Sequence, residues 1–306
     1  TVQTTKVECI INHEHGALAQ IVAMDYRMKD GPYDIFSGKF SFSRCGLFFY
    51  YFRIYTRTGD FRLFKVGDDT NMEAGDCWQV SCVPADFTTP DWAKGAVIYQ
   101  IYPDRFYNGD PKISVTEEEY EFLGFPTQKI SDWTKEPEEF SDAHCVDFYG
   151  GDLCGIEKKI PYLKKLGING LYLTPIFKAE TTHKYDCNDY YQVDKHFGGN
   201  EALISLSHAL HDNNMKLILD ISINHTGTKH AWFRENREFY YFEEDGSYAS
   251  YYGVTSLAKL NYGSKELREQ IYAGRDSVLR TWLREPFSID GWRFDVGSTV
   301  GEYKTD

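Results

Sequence analysis

The chain has 306 residues, enough for two domains with a sizeable core. Its 46 acidic against 33 basic residues leave a net charge of −13, which argues against nucleic-acid and anionic-membrane partners because both call for basic patches. Seven Cys without a Cys-x-x-Cys pair read as reduced thiols, and no apolar run approaches the length of a membrane span. His13/His15 and His208/His211 have no cysteine partners at zinc spacing and read as surface histidines. No signal peptide is visible in a chain that begins with Thr, so a cytoplasmic location is expected. Aromatic residues make up 16% of the chain; packing covers most of them, and only motif context can tell which, if any, stack on a ligand ring.

Residues 1–88 lack helical periodicity. Segments 17–28 and 46–66 are rich in β-branched and aromatic residues, and the runs 47–55 and 61–66 flank Thr56-Arg-Thr-Gly-Asp60, a hairpin signal. Part of an antiparallel β-sandwich is expected there, followed by a linker around Pro84 and Pro90. From residue 89 to 306 the pattern becomes strand, then helix, repeated. Strands are expected at 96–101, 168–173, 217–221 and 289–294, and helices at 156–166, 201–214 and 265–284. Long excursions at 107–150 and 222–262 interrupt them. Helix 156–166 carries apolar residues at 156, 160, 163 and 166, the spacing of one helix face.

Strands alternating with helices imply a parallel sheet with right-handed crossovers. Four such units are half of a TIM-type (β/α)8 barrel. The expected fold class is therefore α/β, the first half of such a barrel preceded by a partial antiparallel β-sandwich. A half-barrel leaves two unpaired edges, so the sequence is expected to be a fragment of a longer chain or to have those edges covered by a partner.

Two segments carry the chemistry. Asp220-Ile-Ser-Ile-Asn-His225 closes the third strand and Gly291-Trp-Arg-Phe-Asp295 closes the fourth, which puts a carboxylate at each strand end. In a parallel α/β barrel that end is the face where reactions occur. Period-two alternation places Gly291, Arg293 and Asp295 on one face, with Arg293 one rung below Asp295, where its fixed charge keeps the carboxylate ionised. An oriented, ionised Asp is what attack on an anomeric carbon requires. A structural Arg–Asp pair at a strand end explains that motif alone equally well. Asp220, positioned to hold Arg293 from the neighbouring strand, together with Asn224 and His225 in the following loop, favours a sugar site.

With these motifs in place, the chain resembles the α-amylase superfamily of glycoside hydrolases over nearly its whole length. It looks closest to the neopullulanase, cyclomaltodextrinase and maltogenic amylase subgroup. The strings that carry the resemblance are Ile98-Tyr-Gln-Ile-Tyr-Pro-Asp-Arg-Phe106, Tyr149-Gly-Gly-Asp-Leu153, Gly167-Ile-Asn-Gly-Leu-Tyr-Leu-Thr-Pro-Ile-Phe177, His183-Lys-Tyr-Asp186 with Asp189-Tyr190, and Lys259-Leu-Asn261. The resemblance implies that Asp295 is the nucleophile, Arg293 its orienter and Asp220 the support of Arg293. It implies sugar contacts from His225, Asn224 and His183, and Tyr185 stacking under the sugar. The implied partner is an α-1,4-glucan oligosaccharide, cleaved with retention, and transglycosylation shares the same covalent intermediate. The amino-terminal domain is similar to one that commonly mediates homodimerisation. The general acid, a Glu after the fifth strand, is expected beyond Asp306, so the 306-residue chain alone is expected to be inactive. Val-Gly-Ser-Thr-Val after Asp295 departs from the subgroup's Val-Ala-Asn-Glu-Val, which leaves acceptor preference open.

Asn108, Asp110, Asp152 and the carbonyl of Gly150 resemble the subgroup's calcium site. Ile113 and Ser114 stand where an Asn–Asp pair is expected, and calcium takes six to eight oxygens. Calcium, the one cofactor that the resemblance raises, is therefore expected to bind weakly or not at all. Two other readings stay open: a non-catalytic sugar-binding or interaction protein with the amylase shape, and a disaccharide isomerase of the same superfamily.

Overall fold

The computed structural model describes residues 4–14, 16–139 and 144–302. It divides into two compact units, Thr1–Asp91 and Trp92–Asp306.

The first unit is antiparallel throughout. Its strands are β1 (Thr4–His13), β2 (Leu18–Asp30), β3 (Tyr33–Ser37), β4 (Gly46–Thr56), β5 (Asp60–Val66), β6 (Asp69–Asn71) and β7 (Trp78–Cys82). They pair in the order β3-β2-β1-β4-β5-β6, with β7 also on β4. The expected hairpin forms at β4–β5, where Tyr55 faces Asp60 and the Thr56 N–H donates to the Gly59 carbonyl at 2.8 Å. All the strands lie on one hydrogen-bonded path rather than in two separately bonded sheets. The reason is β2, whose first half, to Met24, pairs with β1 and whose second half, from Asp25, pairs with β3. Strand β1 escaped the sequence reading because Ile10 is buried alongside Val7, Cys9 and Ile11, which blurs the alternation. Cys9, Ile11, Val22 and Phe48 form this unit's core.

The second unit contains a four-stranded parallel sheet ordered Ile98–Ile101, Gly170–Leu173, Lys216–Ile221, Gly291–Phe294. These strands match the four expected runs; the inner two are buried aliphatic stretches, with Leu171, Leu173, Leu217, Leu219 and Ile221 all buried, while Ile98–Ile101 and Gly291–Phe294 are mostly half-buried or exposed. Helix Gly199–Asp212, expected at 201–214, buries Leu203, Leu206 and Leu210 on one face.

Two expected helices are broken. Residues 156–166 divide into Leu153–Lys158 and Ile160–Lys165 at Lys159, because Pro161, without an N–H, opens the second segment. Residues 265–284 divide into Lys265–Arg268, a π turn at Glu269–Ala273 and Val278–Trp282, with Gly274 extended between them. The later segment is anchored by Trp282, fully buried against Phe177, with its indole N–H on the Tyr190 carbonyl at 2.9 Å.

The excursion at 222–262 carries a small antiparallel sheet of its own. His225–Gly227 pairs with Val254–Lys259, which pairs in turn with Ser250–Tyr251, and His225 lies opposite Lys259. No helix among the described residues is long and apolar enough to cross a membrane.

Candidate active site

The parallel register places Asp220 directly beside Arg293. One guanidinium nitrogen of Arg293 donates to both oxygens of Asp220, at 3.0 and 3.2 Å, and to Asp295 at 2.6 Å. Asp220 is 0% exposed, while the side chains of Arg293 and Asp295 are 43% and 17% exposed. One carboxylate is thus sealed beneath the arginine, and the other sits above it within reach of solvent. Burial works against the Arg293 charge, but Asp220 and Asp295 outweigh it and raise its pKa further above the ordinary range. Gly291, below Arg293 on the same face, meets only Ile218 at 3.9 Å where a Cβ would stand.

Burial pushes the Asp220 carboxyl upward, while a hydrogen bond from Tyr172 and the Arg293 charge oppose it. Every contact it makes comes from a donor: the Tyr172 hydroxyl, the Tyr185 hydroxyl at 3.0 Å and Arg293. Burial is the larger effect, so the carboxyl is raised on balance even among these donors. Tyr172 was missed in the sequence. Its signal was a phenol in the aliphatic strand Gly-Leu-Tyr-Leu, on the face opposite Leu171 and Leu173.

Tyr185 therefore joins the site through its hydroxyl, with its ring tilted against His183 at 5.6 Å. The loop that presents the pair is pinned from inside. Lys184, at φ +60°, buries its ammonium on Asp194 at 2.8 Å and the Ala179 carbonyl at 3.1 Å, which turns its two neighbours the other way. Asp186 accepts from the Thr181 hydroxyl and from the Glu180 N–H at 3.0 Å. His183 Nδ1 accepts the Tyr185 N–H at 3.0 Å, so in the neutral ring the proton sits on Nε2. Burial lowers the His183 pKa, with Asp186 and Asp295 pulling the other way.

His225 is 1% exposed. Asn224 Nδ2 donates to its Nδ1 at 3.2 Å, which leaves Nε2–H to donate to Ser222 at 3.2 Å. The Tyr251 ring covers the imidazole at 4.9 Å and 30°. Tyr190 holds the loop by donating to the carbonyls of Ser222 and His225. Asn224, expected at the sugar, is turned inward instead: it is buried, with Nδ2 on His225 and Oδ1 on Thr299 at 3.2 Å. It positions His225. The cause is the small sheet following it, since the Asn224 carbonyl accepts the Leu260 N–H and draws the residue under the hairpin.

Burial, followed by the nearby His183, depresses the His225 pKa to about 3. A depressed histidine favours folding while neutral, so its contribution is full above the unfolded value near 6.5 and is lost as pH falls toward 3. The His225→Gln protein is accordingly expected to lose less stability than its parent between neutral pH and about pH 5. Urea midpoints at the two pH values check this, and equal acid sensitivity in both proteins would count against it.

Asn108, Asp110, Gly150 and Asp152 also lie together, but both carboxylate oxygens of Asp152 and one of Asp110 are engaged by backbone N–H groups. Asp152 caps helix Leu153–Lys158 by accepting the Gly155 N–H at 2.6 Å, and its other oxygen accepts the N–H groups of Gly109 and Asp110. Among the described residues, no cluster of three or more His, Cys, Asp or Glu side chains is arranged to hold a metal.

The alpha amylase catalytic-domain model matches residues 100–255 and 239–306. Neopullulanase 2 of Thermoactinomyces vulgaris is 36% identical over 231 residues, covering 70% of this chain and 36% of that protein. The intracellular maltogenic amylase of Bacillus subtilis (strain 168) is 34% identical over 227 residues, covering 70% of this chain and 35% of that protein. A solved structure of a cyclomaltodextrinase aligns at 26% identity with a TM-score of 0.59, over 97% of this chain and 51% of its own. The chain thus spans about a third of the length of these two curated relatives. The site residues and the matched segments lead to one conclusion: the chain belongs to the alpha-amylase catalytic-domain family.

Proposed function

We propose that this chain supplies the nucleophile-bearing first half of a (β/α)8 barrel in a retaining hydrolase of α-1,4-glucans. A carboxylate oxygen of Asp295 attacks the anomeric carbon, the glycosidic bond breaks, and its electron pair leaves on the departing sugar oxygen as an acid protonates it. Water, or another sugar hydroxyl, then displaces Asp295, so hydrolysis and transglycosylation share the intermediate. Arg293 orients the nucleophile, Asp220 holds Arg293, His183 and Tyr185 line the sugar pocket, and His225 stands behind the Tyr251 ring that covers it.

One observation carries this reading. Arg293 bridges a sealed Asp220 and a solvent-accessible Asp295, an asymmetry that a purely structural strand-end pair does not need. The names of the relatives, a neopullulanase, a maltogenic amylase and a cyclomaltodextrinase, point to maltodextrins, pullulan and cyclodextrins as substrates. The intracellular relative supports a location inside the cell. We also assign homodimerisation to the amino-terminal unit. Product and anomer analysis on maltotriose, cyclodextrin and pullulan tests the activity, and inverted product or no turnover by the complete enzyme would refute it.

A retaining displacement needs a second carboxyl about 5 Å from the first. Asp220, locked among donors, cannot serve as that acid. The 306-residue chain by itself is therefore expected to cleave maltooligosaccharides on the order of 10²–10⁴-fold more slowly than protein that supplies the acid. Robust hydrolysis by the chain alone, at the rate of the complete enzyme, would overturn the assignment.

A further inference from the structure

We propose that the 108–114 loop is held without calcium, by a staple formed from Ser114 and Lys158. Most of the oxygens on which the resemblance to the calcium site rests are already engaged in this fold. Asp152 is fully buried, and its two carboxylate oxygens accept three backbone N–H groups at 2.6, 2.8 and 2.9 Å. Asp110 Oδ1 accepts the Lys112 N–H at 3.1 Å. Ile113 offers no side-chain oxygen, and its carbonyl lies 2.6 Å from His196 Nδ1. A calcium ion would require six to eight oxygens converging on one point. Here one side-chain oxygen of the set, Asn108 Oδ1, is buried without a hydrogen-bond partner.

The work of a cation is done by side chains. Ser114 is 6% exposed, and its hydroxyl accepts from Asn108 Nδ2 at 2.9 Å and faces the Gly150 carbonyl at 3.5 Å. It therefore links the two segments that a metal would have bridged. A Cβ on Gly150 would meet Ser114 Oγ at 2.6 Å, so the serine fills the space beside that carbonyl. Lys158 places its ammonium on the Gly109 carbonyl at 2.6 Å, tying the same loop to the helix that Asp152 caps. The charges follow suit. Asp110 and Asp152 are balanced by Lys112 and Lys158, whereas a tight calcium site gains affinity from surplus carboxylates.

Thermal unfolding of the purified protein with excess calcium, excess magnesium or EDTA tests this, and its outcome does not depend on the glycosidase reading. The expected result is one Tm in all three conditions. Lys158→Met and Ser114→Ala should each lower that Tm by the same amount with calcium as with EDTA. A rise in parental Tm with calcium but not magnesium, or a saturable heat of calcium binding by titration calorimetry, would overturn the proposal. So would variants at both positions that melt with the parent.

Discussion

Replacing Asp295 by Asn is expected to lower kcat/KM on a maltooligosaccharide by at least about 10⁴-fold in the complete enzyme, the scale of loss seen when a covalent nucleophile is removed. The amide keeps the size of the side chain but cannot form the glycosyl ester. The carboxylate that it replaces is the accessible one, and its contact with Arg293 at 2.6 Å fixes the direction in which it points. The matching positive experiment traps the intermediate with a slow activated glycosyl fluoride and locates the adduct by peptide mass spectrometry. An adduct on any other residue, or near-parental turnover by Asp295→Asn, would remove Asp295 from its assigned role.

Asp220→Asn is expected to act at one remove, lowering kcat on the order of 10²-fold through misplacement of the arginine and nucleophile, with a smaller effect on KM. An amide cannot accept on both atoms as Asp220 does from Tyr172, Tyr185 and Arg293, so at least one donor is left without its partner. The stability cost is about 2 kcal/mol, below the 3–5 typical of breaking a fully buried pair, because Arg293 is half-exposed and recovers solvent. Urea unfolding measures the second effect and steady-state kinetics the first. A variant that was destabilised yet kept the parental kcat would make Asp220 a folding residue only.

Much of this was legible in the chain. The alternation of Gly291, Arg293 and Asp295 is a local property of an extended strand, and the two inner strands, Gly170–Leu173 and Lys216–Ile221, are apolar runs of the kind that parallel strands buried on both faces show. The β4–β5 hairpin followed from Gly59 and its neighbours. What could not be read required knowing which distant segments meet. Tyr172 becomes a partner of Asp220 only through the pairing of the second and third parallel strands. Asn224 was assigned to the sugar because it precedes His225, yet the hairpin at 250–259 turns it inward. The helix break at Lys159 was outweighed, in the reading, by apolar spacing that continued across it, and the break at Gly274 was not anticipated.

The sequence by itself determined which residue types stand at the candidate site: an Asp one rung above an Arg, a second Asp at the end of another strand, and a His in the loop beyond. Those features lie within a few residues of one another or follow from strand periodicity, so short-range sterics and hydrophobic patterning suffice to specify them. Tertiary structure decided the rest, namely which carboxylate is sealed and which is open, which tautomer His225 adopts, and whether the 108–114 oxygens are free. The sealed state of Asp220 depends on donors from segments tens of residues away, whereas the His225 tautomer depends on how its own loop folds Ser222 and Asn224 back onto the ring; in both cases the state of a buried polar group is set by the partners that the fold brings to it.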